Sequence, residues 1–172
     1  MLGTEIVGFD EVSPLTSAHV RTMLAEIPAN VVASMAALEY RDGMVFRAEG
    51  WDLGKTLELG RRRFRIVIFR HGIIRRSRPE VAEQMRDTIL HEVGHVVFRG
   101  SMSEEERARW GEKYTESLQR DRFVSIRARA GSEEDFCEAY RLYKRSLIAL
   151  ASFDADRYSF IELLERRLAE AV

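Results

Sequence analysis

The stretch His91-Glu92-Val93-Gly94-His95 constrains this chain more than any other. Four residues of α-helix turn through about 400°, so on a helix the two histidines share one face about one turn apart. Imidazoles at that spacing suit a single tetrahedral zinc ion. Glu92, directly after the first histidine, can then act as general base toward water at the metal. With four histidines and twenty glutamates in 172 residues, chance supplies about 0.01 such motifs per chain, so the pattern is informative. It points to a zinc hydrolase, and the rest of the chain has to be searched for a third ligand.

The motif sits late in an expected helix. Ser77-Arg78-Pro79-Glu80 has the form of a capping box with proline in the first turn, and Val81, Met85, Thr88 and Ile89 continue the helical face. Gly100 is placed to end the helix as a C′ glycine. Gly94 costs about 1 kcal/mol of helix propensity; it either admits the close approach of another backbone or is a tolerated defect. Ser103-Glu104-Glu105-Glu106 is a second capping box, opening a helix with Trp110, Tyr114 and Leu118 on one face. Ser132 is expected to cap a third, with Phe136, Ala139, Tyr140, Tyr143 and Leu147. Asp154 or Asp156 caps a last one through Phe160, Ile161, Leu164 and Leu168.

Upstream, Thr16–Ile27 and Ala29–Glu39 read as helices, while Met44–Ala48, Lys55–Leu59 and Phe64–Phe69 read as strands. Residues 1–13 lack periodicity and are expected to form an N-terminal arm. The resulting class is α+β, with a small mixed sheet in the N-terminal half packed on the motif helix, followed by a helical C-terminal half. Residues 1–172 read as one domain, since 45% hydrophobic and 32% charged residues suit a single globular core and no linker interrupts them.

A formal net charge of −1, from 27 basic and 28 acidic residues, gives no general attraction to nucleic acid, and no segment has the apolar length of a membrane span. The run Arg61-Arg62-Arg63-Phe64-Arg65 reads as a solvated flank of a strand. A single cysteine, Cys137, agrees with a reducing compartment. The expected location is cytoplasmic, or outside the cell by export without a recognisable signal peptide. The expected state is a monomer.

The extended pattern with a glycine and a third histidine downstream fails, because those positions hold Phe98 and Ser101. His71, at a strand end, is a minor candidate for the third ligand, and His19 is the remaining histidine. The cluster Glu133-Glu134-Asp135-Phe136-Cys137-Glu138 is better placed. Glu134 and Glu138 share a helical face at i, i+4, so one can bind metal while the other accepts the N–H of a ligating histidine. Glu134 is the first choice, then Glu138, then Asp135. Cys137 fits a small buried apolar position.

These residues resemble a known family. The pattern H-E-x-G-H followed by E-x-F-x-E-A-[FY], met here as His91–His95 and Glu134–Tyr140, is similar to the catalytic domain of anthrax lethal factor and the Pro-Pro endopeptidases. The resemblance implies a minimal zincin-like fold and one Zn2+ per chain. It also implies His91, His95 and Glu134 as ligands, Glu138 beside them, and a peptide or protein substrate. That family carries a tyrosine seven residues before the ligand glutamate, where this chain has Arg127. An arginine there is a permanent cation suited to an oxyanion, with Tyr140 as the second choice for that role. The expected activity is a zinc-dependent endopeptidase with Glu92 as base. The alternative is a zinc-binding interaction or regulatory protein whose catalysis is impaired.

Overall fold

Phe64–Phe69, dense in Ile, Val and Phe, is a strand inside a four-stranded sheet. The computed structural model describes residues 3–9, 13–43, 45–47, 50–70 and 77–171. Across the sheet the order is β1 (Glu5–Val7), β2 (Met35–Arg41), β6 (Phe64–Phe69) and β5 (Gly54–Glu58). The first three are parallel, and β5 runs antiparallel to β6 with Thr56 opposite Ile66. β3 (Val45–Arg47) and β4 (Gly50–Asp52) form a separate antiparallel pair. The fold is α+β, as expected.

Two upstream expectations are corrected. Glu5–Val7, assigned to an arm, pairs with β2 residues 37–39, and Phe9 just beyond it is fully buried. The run from Ala29, read as one helix, splits into α2 (Ala29–Ser34) and β2. Met35, Ala37, Leu38 and Glu39 are good helix formers. Strand pairing on both sides, with burial of Met35, Ala37, Leu38 and Tyr40, overrides that weak preference. The helix before it, α1 (Ser17–Leu24), starts as expected, with the Thr16 hydroxyl accepting the His19 N–H.

The motif helix α3 (Arg78–Val96) opens on the expected box, the Ser77 N–H donating to Glu80 Oε2 at 2.7 Å. Gly100 does not end it. The chain continues through one π-helical stretch, Val97–Ser101, in which Gly100 packs on the Phe64 ring; an added Cβ would lie 2.7 Å from it. π-Turns of this kind gather at functional sites. Next come α4 (Glu104–Arg120), a 3₁₀ turn at Arg127–Ala130, and α5 (Ser132–Arg145). The apolar face expected to reach Leu147 stops at Ser146, whose hydroxyl accepts the Ala149 N–H and starts α6 (Leu147–Phe153). Asp154 caps α7 (Ala155–Glu170) by accepting the N–H groups of Asp156 and Arg157.

α3 lies between the sheet and α5. Behind α5, the fully buried Trp110 of α4 meets Phe136 edge-on at 5.1 Å and Phe160 of α7 at 5.2 Å. Arg157 of α7 reaches Asp135 of α5 at 2.7 Å in a buried ion pair. α5 is therefore held from both sides, by α3 in front and by α4 and α7 behind. Among the described residues no helix is long and apolar enough to cross a membrane.

At Gly94, α3 and α5 come into close backbone contact. A Cβ on Gly94 would lie 2.8 Å from Cys137 Cα and 3.1 Å from its Cβ, too close for either backbone to stay in place. Of the two sequence readings, close approach is the one observed. Gly94→Ala gains helix propensity but forces the helices apart, and the expected net loss is about 1–3 kcal/mol. A thermal melt should fall by about 2–4 °C per kcal/mol for a chain of this length. A melting temperature at or above wild type would contradict the packing.

Candidate metal centre

The two motif histidines lie one helical turn apart with ring centroids 5.0 Å apart and planes crossing at 79°. Both are buried. Their Nε2 atoms converge on one carboxylate: His91 Nε2 is 3.2 Å from Glu134 Oε2, and His95 Nε2 is 3.4 Å from Glu134 Oε1. A tetrahedral zinc with bonds of about 2.0–2.2 Å sets its ligand atoms about 3.3–3.6 Å apart. The two nitrogen-to-carboxylate distances are close to that spacing, each measured to a different oxygen of Glu134. Both ring nitrogens of His91 are buried and neither makes a hydrogen bond of good geometry, although each lies close to a carboxylate, Nε2 to Glu134 and Nδ1 to Glu138.

Each histidine is backed on its other nitrogen by a separate carboxylate. Glu138 Oε1 lies 2.8 Å from His91 Nδ1, as the i, i+4 spacing suggested. Glu133 Oε1 lies 2.6 Å from His95 Nδ1, a contact that sequence reasoning missed, having given Glu133 no role of its own. Such carboxylates fix the tautomer and orientation of a ligating imidazole. Behind each carboxylate stands an arginine. Arg99 Nε donates to Glu133 at 2.5 Å, Arg127 Nε to Glu134 at 3.0 Å, and Arg141 Nη2 to Glu138 at 2.8 Å. Arg99 was within reach of sequence reasoning, since it follows His95 at i+4 on the same helical face.

Electrostatics follow from these contacts. Burial alone pushes the Glu134 carboxyl up, but His91, His95 and Arg127 outweigh it and hold the pKa at about 2. Glu133 and Glu138 are lowered in the same way, by His95 and Arg99 and by His91 and Arg141. Burial lowers His91, while its contacts to Glu134 and Glu138 prevail and raise it.

Glu92 is buried against the edge strand. The Thr56 hydroxyl has two acceptors for its single proton, Glu92 Oε2 at 2.7 Å and the Glu92 carbonyl oxygen at 3.0 Å, the carboxylate being the nearer. Gly54 on the same strand makes room. A Cβ there would meet Thr88 Cγ2 at 2.8 Å and Glu92 Oε1 at 2.9 Å. No sequence pattern linked Thr56 to the motif, because 36 residues separate it from Glu92.

Several candidates lie elsewhere. Asp135 points away from the histidines into its ion pair with Arg157. His19 is exposed and bonded within the α1 cap, with Nδ1 3.0 Å from the Thr16 hydroxyl. His71 falls outside the described residues. The Tyr140 hydroxyl is fully buried and donates to Glu165 Oε1 at 2.6 Å, so it faces the core and not an oxyanion. A donor atom of Cys137 lies with those of His91 and His95 inside a 4.8 Å cluster. Full burial, with Glu134 and Glu133 nearby, pushes that thiol well above its ordinary value and keeps it protonated, which disfavours it against the ionised Glu134. Neither a family model nor a curated protein matches this chain in sequence.

The shifts set a pH profile for the metal-free protein. Glu133, Glu134 and Glu138 are depressed from the ordinary 4.5, so their stabilisation is complete above that value and is lost as pH falls, Glu134 going last at about pH 2. His91 is raised from 6.5, so its contribution is present below 6.5 and is lost as pH rises through its folded value. Urea midpoints of metal-free protein should peak between about pH 4.5 and 6.5. A midpoint that keeps rising to pH 9 would contradict the His91 contacts.

Proposed function

We propose that this protein is a zinc-dependent endopeptidase. The observation carrying the proposal is the Glu134 carboxylate spanning His91 Nε2 and His95 Nε2 at 3.2 and 3.4 Å while a separate glutamate backs each histidine. His91, His95 and Glu134 are the residues that would hold the ion. Zinc bound there supplies Lewis acidity, lowering the pKa of water toward about 7 and polarising a scissile carbonyl.

The remaining chemistry belongs to the chain. Glu92 takes a proton from the attacking water as the water oxygen bonds to the carbonyl carbon. When the C–N bond breaks, Glu92 delivers that proton to the leaving amine. Thr56 occupies Oε2 of Glu92 as a donor, so Oε1, beside Gly54, is the oxygen free for the transfer.

An extended peptide has a docking edge on β5. The bonds Phe69 N–H to Leu53 O and Leu59 N–H to Arg63 O turn residues 53, 55, 57 and 59 toward β6. By alternation, Gly54, Thr56 and Glu58 present their backbone groups outward. The sequence suggested Met44–Ala48 for this role. Among the described residues, β3 of that stretch pairs only with β4, and β5 is the edge beside α3.

A second reading, a zinc-binding regulatory protein with impaired hydrolysis, is favoured by one observation. Arg127, standing where the resembling family has a tyrosine, bonds to the ligand glutamate and not into open space.

Metal analysis of protein purified without chelator should find about one zinc per chain, falling sharply in His95→Ala. A mixed peptide library should be cut by wild type. Glu92→Gln should retain zinc and lose about 10²- to 10⁴-fold in rate. Protein without zinc sinks the proposal. Zinc-loaded wild type that cuts nothing selects the regulatory reading.

A further inference from the structure

Arg127 has a contact that its sequence position did not foretell. Its Nε–H donates to Glu134 Oε2 at 3.0 Å, the same oxygen that lies 3.2 Å from His91 Nε2. Glu134 needs such a partner. Its side chain is 26% exposed, and a half-open carboxylate on a flexible stem can rotate into solvent, away from the imidazoles. A guanidinium is planar, permanently charged and directional, so a single Nε–H bond fixes one carboxylate oxygen and restrains the other.

The anchor of the arginine is rigid. Arg127 opens the 3₁₀ turn, where Ala128 is fully buried and donates its N–H to Ser125 Oγ at 3.2 Å, and Tyr114 donates its hydroxyl to the Arg129 carbonyl at 2.9 Å. From there the chain passes through Gly131 into the first turn of α5. Both ends of the contact thus lie on one short segment, pinned to α4 at one end and to α3 at the other.

We infer that Arg127 is a positioning residue for the metal ligand, holding Glu134 Oε2 so that the carboxylate faces His91 and His95. The inference rests on the zinc-centre reading above and replaces the oxyanion role expected for Arg127 with one directed at Glu134. The two roles differ in when they act. A residue bonded to the ligand affects metal binding with no substrate present. A residue that meets an oxyanion affects rate alone.

The test uses the full chain. Zinc affinity is measured by competition with a chromophoric chelator, and the visible spectrum of cobalt-substituted protein is recorded, for wild type, Arg127→Ala, Arg127→Lys and His95→Ala. Arg127→Ala should bind zinc about 10- to 100-fold more weakly and shift the cobalt bands, the effect expected when a partner that orients a ligand is removed. Arg127→Lys keeps the charge without the planar N–H and should recover part of the affinity. The Arg127 side chain is 51% exposed, so both variants should fold, which melting of the metal-free proteins checks. Zinc affinity within about two-fold of wild type in Arg127→Ala, with an unchanged cobalt spectrum, overturns the inference whatever happens to activity. Wild type that binds no zinc overturns the zinc-centre reading and this inference with it.

Discussion

Everything at the centre depends on how closely α3 and α5 approach at Gly94 and Cys137. With a side chain at 94 the two backbones could not meet, since its first carbon would stand 2.8 Å from Cys137 Cα. The approach does more than fill space. Gly94 lies between Glu92 and His95, and Cys137 lies between Glu134 and Glu138, so the point of contact is flanked on each helix by groups that face the other. A helix displaced by one methyl would move the Nε2-to-carboxylate distances of 3.2 and 3.4 Å outside the span a tetrahedral ion accepts. The aromatic stack of Trp110 on Phe136 and Phe160, together with the Asp135–Arg157 pair, sets α5 from behind and keeps it from sliding along that contact.

Close packing concentrates charge, and the chain answers with arginines. Glu92, Glu133, Glu134 and Glu138 converge on two buried imidazoles. Unopposed, four carboxylates brought this close would repel one another. Arg99, Arg127 and Arg141 each stand behind one of the three α5 glutamates, while Thr56 gives Glu92 a neutral donor. With neutral histidines the cluster is left one negative charge in excess, so a divalent cation would turn it net positive. The three arginines come from the π-turn, the 3₁₀ turn and α5 itself, so the polar cluster also ties irregular segments to the helices.

What the sequence made legible was what repeats locally. The motif and the Glu134–Glu138 pair depend on helical spacing within a few residues, and both converge as that spacing implied. The capping residues Ser77, Ser103 and Asp154 act on their own first turns and were readable, whereas Ser132, expected as a cap, is the first helical residue after a Gly131 cap that has no side chain to offer. Glu133 was not readable. Consecutive residues on a helix point about 100° apart, so Glu133, Glu134 and Asp135 face three directions, and only the packed neighbours decide which acid meets a histidine and which meets Arg157. β2 was missed because Met, Ala, Leu and Glu favour helix in isolation, whereas the strand is imposed by partners on either side.

Thr56 shows what long-range structure adds beyond position. One residue of the edge strand has its hydroxyl on Glu92 while its carbonyl oxygen takes Arg99 Nη1 at 3.5 Å, and Arg99 in turn holds the glutamate behind His95. On the proposed reading, the strand that would offer its outer backbone to an extended peptide is also the strand that holds Glu92, and it touches the support of one histidine as well. A peptide docking along β5 would compete with Arg99 for the Thr56 carbonyl, the weakest bond of the set by its length. Under the proposed function, docking and the orientation of Glu92 would be coupled through a single residue. Such a coupling would need no moving domain, because the hydroxyl and the backbone of Thr56 project from the strand in different directions.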